Sequence, residues 1–203
     1  MTNRRQEPEK RPYELGKRLE QMDQSRAAIL RAARAQLEEN GYRQLTMAGL
    51  AAESGVTRQT IHNLFGTKTG VLEAVFDWIA LDSGMDQMRE VMMLPPGEAQ
   101  LARFVGIFCG FWSKNRVLIR RVHGIGAIDP EFGAVIEARN RRRLMAATRI
   151  MERMSGKDVK RRATMLAAIT SFEFFDALAE GSGSEGEGEA MVLRLARSAA
   201  STK

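Results

Sequence analysis

The segment SGVTRQTIHNLFGTK, Ser54 to Lys68, constrains the fold of this chain more than any other stretch. Gly55 permits the positive φ of a sharp turn, and Thr57 is a residue type that opens a helix. Ile61, Leu64 and Phe65 then follow at helical spacing. Gly66-Thr67 breaks the run before Val71, Leu72, Val75, Phe76 and Ile79 begin another helix. Upstream, Thr46 caps an element of about two turns whose Met47, Leu50 and Ala51 face inward. Two short helices about a glycine turn make a helix-turn-helix.

A longer helix precedes it over 25–40. Ile29, Ala33 and Leu37 recur at four-residue spacing beside Leu30, and Asn40-Gly41 supplies a left-handed stop. With Ile61, Leu64 and Phe65 buried, the helix after the turn presents Arg58, Gln59, His62 and Asn63 outward. In motifs of this kind its N-terminal half enters the major groove of DNA. Arg and Gln side chains make bidentate bonds to guanine and adenine edges, whereas Thr57, Thr60, His62 and Lys68 suit phosphate oxygens.

The run ILRAARAQLEENGYRQLTMAGLAAESGVTRQTIHNLFGTKTGVLEAV, Ile29 to Val75, resembles the N-terminal DNA-binding domain of TetR-family transcriptional regulators. It shares a first helix ending in Gly-Tyr, a Thr opening the second, Ala-x-x-x-Gly-Val at the turn, and Thr, an apolar residue and Phe before Lys. The resemblance implies that Arg58, Gln59 and Asn63 face bases while Thr46, Thr60, His62 and Lys68 hold the backbone. Four positions depart from the family pattern. His62 stands where Tyr is usual, Leu64 where His or a second aromatic is common, Gly66 where Pro is frequent, and Gly49 where a charged residue is usual.

Charge and composition agree with an anionic partner. Residues 1–70 hold 12 Lys/Arg against 8 Asp/Glu, and the rest of the chain holds 19 against 17, so most of the +6 excess sits in the first third. The basic residues of the first segment, 1–24, are read as a flexible arm. Arg4, Arg5, Lys10, Arg11, Lys17 and Arg18 either follow a minor groove or form a solvated tail diluted by Glu7, Glu9, Glu14 and Glu20. Residues 25–70 are the helix-turn-helix domain, and 71–203 a helical domain for effector binding and dimerisation.

In that second part, helices are expected at about 98–114, 115–123, 130–154, 158–180 and 187–200. The breaks fall at Asp129-Pro130, Ser155-Gly156 and the GSGSEGEGE loop, and no alternating strand pattern competes, so the fold class is all-α. Flexible methionines and aromatics suit a pocket for apolar molecules of varied shape. Met88, Met92, Phe104, Phe108, Phe111, Trp112, His123, Met145 and Phe172 are its candidates, with plain core as the alternative use of the same residues. The family resemblance implies a small ligand at this place. In IEARNRRRLMAATRIMERM, Ile136, Leu144, Ala147 and Met151 read as an apolar stripe, and Arg139, Arg142, Arg143 and Arg149 as a solvated face.

The last two helices are expected to carry more apolar surface than one subunit covers. A two-fold dimer is expected through Met165, Ile169, Phe172, Phe175, Met191 and Leu195. A dimer sets two recognition helices about one DNA turn apart, roughly 34 Å, and so selects a palindromic operator. The expected activity is a repressor released by a small, largely apolar effector. The alternative is a regulator that answers to a protein partner or to nothing.

Other classes find little support. One cysteine, Cys109, excludes a disulfide framework, and with only His62 and His123 no metal site, cofactor or catalytic residue is assigned. No Ser/His/Asp arrangement or phosphate-binding glycine loop occurs. No apolar run approaches the roughly 18 residues of a membrane span, and the polar N-terminus points to the cytoplasm.

Overall fold

The computed structural model describes residues 10–154, 157–181 and 185–201. Arg4 and Arg5 of the expected arm, the Ser155-Gly156 break and part of the GSGS loop lie outside them. Every element of the described residues is helical, and the chain divides into two compact units between Val75 and Phe76.

The first unit begins with α1, Lys10–Glu39, fifteen residues earlier than its apolar stripe predicts. Ile29, Leu30, Ala32, Ala33 and Leu37 are buried along its C-terminal half. The N-terminal half is polar, which is why hydrophobic periodicity misses it, and residues 16–24 are a helical extension rather than a free tail. Gly41, at φ 74°, ends α1 with its N–H on the Gln36 carbonyl.

Helix α2, Met47–Ser54, opens on Thr46, whose hydroxyl accepts the Gly49 N–H at 3.0 Å, and closes on Gly55 at φ 72°. Leu50 is its buried anchor, while Met47 and Ala51 are half-buried. Helix α3, Arg58–Phe65, opens on Thr57. Ile61 is its one fully buried side chain. Leu64 and Phe65 are half-buried, less than expected, and the Arg26 guanidinium covers the Phe65 ring at 5.0 Å.

Helix α4, Lys68–Asp82, starts at once after the Gly66 turn, capped by the Thr67 hydroxyl on the Gly70 N–H at 3.0 Å. So tight a junction requires glycine at 70, because a Cβ there would collide with the Phe65 carbonyl oxygen.

The second unit is built around α6, Glu98–Lys114, which buries Leu101, Phe104, Val105, Phe108, Phe111 and Trp112. Before it come a single 3₁₀ turn, Met85–Gln87, and α5, Met88–Met93. After it come α7, Arg116–Ile128, and α8, Pro130–Met154. The expected helix 158–180 is two helices, α9, Val159–Ile169, and α10, Phe172–Gly181.

The break between them has a local cause. The Trp112 indole N–H takes the Thr170 carbonyl at 3.0 Å, and the Ser171 hydroxyl caps the new helix on the Phe174 N–H at 3.2 Å.

Helix α11, Glu185–Ser201, lies against α6, α9 and α10, while α8 lies against α7 and α9. Arg162, 1% exposed, reaches from α9 to donate to the Ala199 and Ala200 carbonyls, so a buried cation satisfies the last turn of α11.

Candidate nucleic-acid interface and cavity

On α3, burying Ile61 leaves Arg58, Gln59, His62 and Asn63 exposed and Thr60 half-exposed. Thr57 accepts the Thr60 N–H at 3.1 Å, and the two hydroxyls share one further bond at 2.9 Å. Two hydroxyls with one bond between them keep one proton for an outside acceptor. The Gln59 amide donates to the Asn63 carbonyl oxygen at 2.8 Å, which aligns two exposed carboxamides in one array.

The other candidate phosphate ligands are placed differently from one another. Thr46 is exposed, its hydroxyl holding the α2 cap. His62 donates Nδ1–H to the Gly66 carbonyl at 2.6 Å, which leaves Nε2 facing outward. Lys68, half-buried, gives its ammonium to the Tyr42 carbonyl at 2.8 Å and lies 3.6 Å over the Tyr42 ring. It joins the start of α4 to the loop after α1.

The departure at Gly49 has a structural reason that the sequence does not display. A Cβ there would come within 3.2 Å of the Thr46 hydroxyl and 3.3 Å of the Gln36 amide, which crosses this point to donate to Glu53 at 2.7 Å. The extension of α1 also adds to this face. Arg18, Gln21, Met22 and Ser25 share one surface hollow with Thr60, Asn63 and Leu64 of α3.

In the second unit a cavity of about 260 Å³ is lined by Phe76, Asp77 and Ala80 of α4, Met85 and Met88, and Phe108, Phe111 and Trp112 of α6. His123 of α7 and Ile136, Arg139, Asn140, Arg142, Arg143 and Ala146 of α8 complete it. Five of the expected pocket residues are thus brought together: Met88, Phe108, Phe111, Trp112 and His123.

Four are not. Phe104 is fully buried beneath Phe108, with ring centroids 5.1 Å apart, and Phe172 packs edge-on to Trp112 at 5.6 Å as core. Met92 and Met145 line a neighbouring hollow with Met88 and Arg149.

Two of the α8 arginines depart from the solvated face expected of this charge run. Arg139 pairs with Asp77 at 2.5 Å and lies 4.4 Å over the Phe76 ring. Arg143 donates to the Ala167 carbonyl at 3.1 Å and lies 5.9 Å over Phe108, and burial pulls its pKa down. Leu144, assigned to the apolar stripe, is 38% exposed. The signal was present in the sequence: Ile136, Arg139, Asn140 and Arg143 follow i, i+3, i+4, i+7 spacing and share one face.

His123 ties α7 to α10. Its Nδ1 bonds Glu173 at 2.7 Å, and this bond holds the Glu173 carboxyl down at about 2. Beside it Arg116 and Arg120 clasp Asp176 at 2.6 Å each, so α7 and α10 are joined by a ladder of charge. Cys109 is buried, and desolvation pushes its thiol up to about 12.

Of the expected dimer residues, Met165 and Leu195 are each 40% exposed, and Ile169 and Met191 are half-buried. Phe172 and Phe175 are 3% and 1% exposed in the single chain, so the protomer's own core uses them.

Among the described residues no group of three His, Cys, Asp or Glu side chains is placed to hold a metal ion, and no helix is long and apolar enough to cross a membrane.

Comparison with known proteins places this geometry. No curated protein matches the chain. Residues 29–75 match the family model described as bacterial regulatory proteins, tetR family.

Solved structures match over most of the chain. A TetR-family transcriptional regulator from Syntrophomonas wolfei is 18% identical, covers 89% of this chain and 96% of its own, and has a TM-score of 0.72. A TetR transcription regulator from Haloarcula marismortui gives 18%, 88%, 96% and 0.69. A transcriptional regulator from Saccharomonospora viridis, solved in complex with choline, gives 16%, 86%, 96% and 0.62.

Residues 29–75 thus carry a domain of the tetR family, and the chain around it has the all-helical fold of these solved regulators.

Proposed function

We propose that this protein is a cytoplasmic repressor that binds a palindromic operator as a homodimer and releases it when a small effector occupies the second-unit cavity. The observation that carries the reading is the division of α3. Ile61 has no exposed surface, while Arg58, Gln59, His62 and Asn63 on the same two turns are open to a groove.

Arg58, Gln59 and Asn63 read base edges. Thr46, the Thr57–Thr60 pair and the free edge of His62 contact phosphates, and Lys68 acts by fixing the start of α4. Dimerisation uses the exposed apolar surface of α9 and α11, with Met165, Ile169, Met191 and Leu195. Phe172 and Phe175 support it from within the protomer.

An effector changes operator affinity by binding one arrangement of the dimer better than another, which alters half-site spacing. The protein acts by binding rather than catalysis. The choline held by the Saccharomonospora viridis regulator supports a small-molecule role for this fold.

The test is nuclease protection of the DNA upstream of the protein's own gene, with the mass of the protein–DNA complex measured in parallel. A protected inverted repeat bound by two chains is expected. Protection of a single half-site by one chain, or none above a scrambled duplex, would overturn the proposal.

A further inference from the structure

The cavity has two chemically distinct ends. Phe76, Phe108, Phe111 and Trp112 form an apolar wall, and α8 supplies three guanidiniums opposite it. Against these three cations the lining holds one carboxylate, Asp77, and Arg139 already pairs with it.

Arg143 is the group left unbalanced. Its contacts are the Ala167 carbonyl and the Phe108 ring, and among the described residues no carboxylate lies within 4.0 Å of it. Glu173 acts on it from farther away, but that carboxylate is bonded to His123. Burying a cation without a paired anion is costly, and the cost is recovered when an anion arrives. Burial already lowers the Arg143 pKa, as expected for a charge short of compensation.

Building on the effector reading proposed above, we infer that the cavity takes an amphipathic organic anion, with its apolar body against Trp112, Phe111 and Phe108 and a carboxylate head on Arg143. A guanidinium fork matches a planar carboxylate with two parallel bonds, which fixes the ligand's orientation as well as its charge. Arg142, exposed at the rim, adds attraction during entry without a buried bond.

The same geometry rejects cations. An aromatic wall attracts ammonium groups, but here Arg139 covers Phe76 and Arg143 faces Phe108, so both rings already have cationic partners. A further positive charge would meet three arginines. The volume of about 260 Å³ falls just below the roughly 300–1,000 Å³ common for drug-sized ligands, so the apolar body is small, of one or two rings.

The test uses the full chain and three probes of one shape: 2-naphthoate, neutral 2-naphthol and 2-naphthylmethylammonium, each titrated by calorimetry at neutral pH. The expected result is a Kd for naphthoate at least tenfold below that for naphthol, and weaker binding still for the ammonium. Arg143→Gln removes the preference for naphthoate while leaving naphthol affinity within about twofold, and Arg143→Lys restores part of it.

Equal affinity for naphthoate and naphthol, retention of the preference in Arg143→Gln and its Lys counterpart, tightest binding of the ammonium, or no binding of any probe would each overturn the inference. Operator binding measured with naphthoate present separates the two claims. If naphthoate binds through Arg143 but leaves DNA affinity unchanged, the ligand chemistry stands and the effector role fails.

Discussion

The Lys68 ammonium lies 3.6 Å over the Tyr42 ring and donates to the Tyr42 carbonyl at 2.8 Å. One cation thus locks the loop after α1 to the first residue of α4. A bond to a carbonyl and a desolvated ring contact together contribute on the order of 1–2 kcal/mol. Lys68→Met, which keeps the stem and removes the charge, is expected to destabilise the first unit by that amount in the absence of DNA. Chemical denaturation of the free protein checks it, and unchanged stability would return Lys68 to a phosphate contact alone.

Gly49→Ala is expected to bring no benefit. Alanine in a helix gains about 1 kcal/mol over glycine, but the new Cβ presses on the Thr46 cap and the Gln36 amide. The single variant should therefore lie within about 0.5 kcal/mol of wild type, and the gain should appear once Gln36→Ala clears the space. Equal gains in both backgrounds would show that Gln36 is not the obstacle.

Acid should reveal the His123–Glu173 bond. The Glu173 carboxyl sits at about 2 in the folded protein against an ordinary 4.5, so it binds fewer protons folded than unfolded. Its contribution is complete above pH 4.5 and is lost as pH falls from 4.5 toward 2. The stability gap between wild type and Glu173→Gln should close over that window, as measured by denaturation at stepped pH. A constant gap would mean that the carboxyl is not held low.

Cys109 should be inert in the native protein. A buried thiol raised to about 12 carries almost no thiolate at neutral pH, so alkylation by iodoacetamide should require unfolding. Mass spectrometry of the protein with and without denaturant reads this directly, and rapid native labelling would contradict the burial.

The features legible in the sequence were those written in local signals. Thr46, Gly55, Thr57 and Gly66 placed α2 and α3 because caps and left-handed turns depend on neighbouring residues. Ile61 revealed the buried side of α3, and with it the side that faces out.

What escaped was set by partners distant in sequence. The first half of α1 has no apolar stripe to announce it. The break at Thr170 depends on Trp112, 58 residues away. The roles of Phe172 and Phe175 turned on whether α6 or a second subunit covers them, which their periodicity does not distinguish. Arg139 and Arg143 follow the spacing of a lining face, but a charge run ordinarily marks solvent, and it takes Asp77, the Ala167 carbonyl and the rings of Phe76 and Phe108, all distant in sequence, to draw these two inward.

The most direct test of DNA recognition by α3 is the affinity of wild type and Arg58→Ala for the protected upstream duplex and for a scrambled duplex, at one fixed salt concentration. Arg58→Ala should lose about 1–3 kcal/mol of the preference between the two while its affinity for the scrambled duplex stays nearly constant. An unchanged preference, or an equal loss on both duplexes, would contradict the assignment of α3 as the base-reading element.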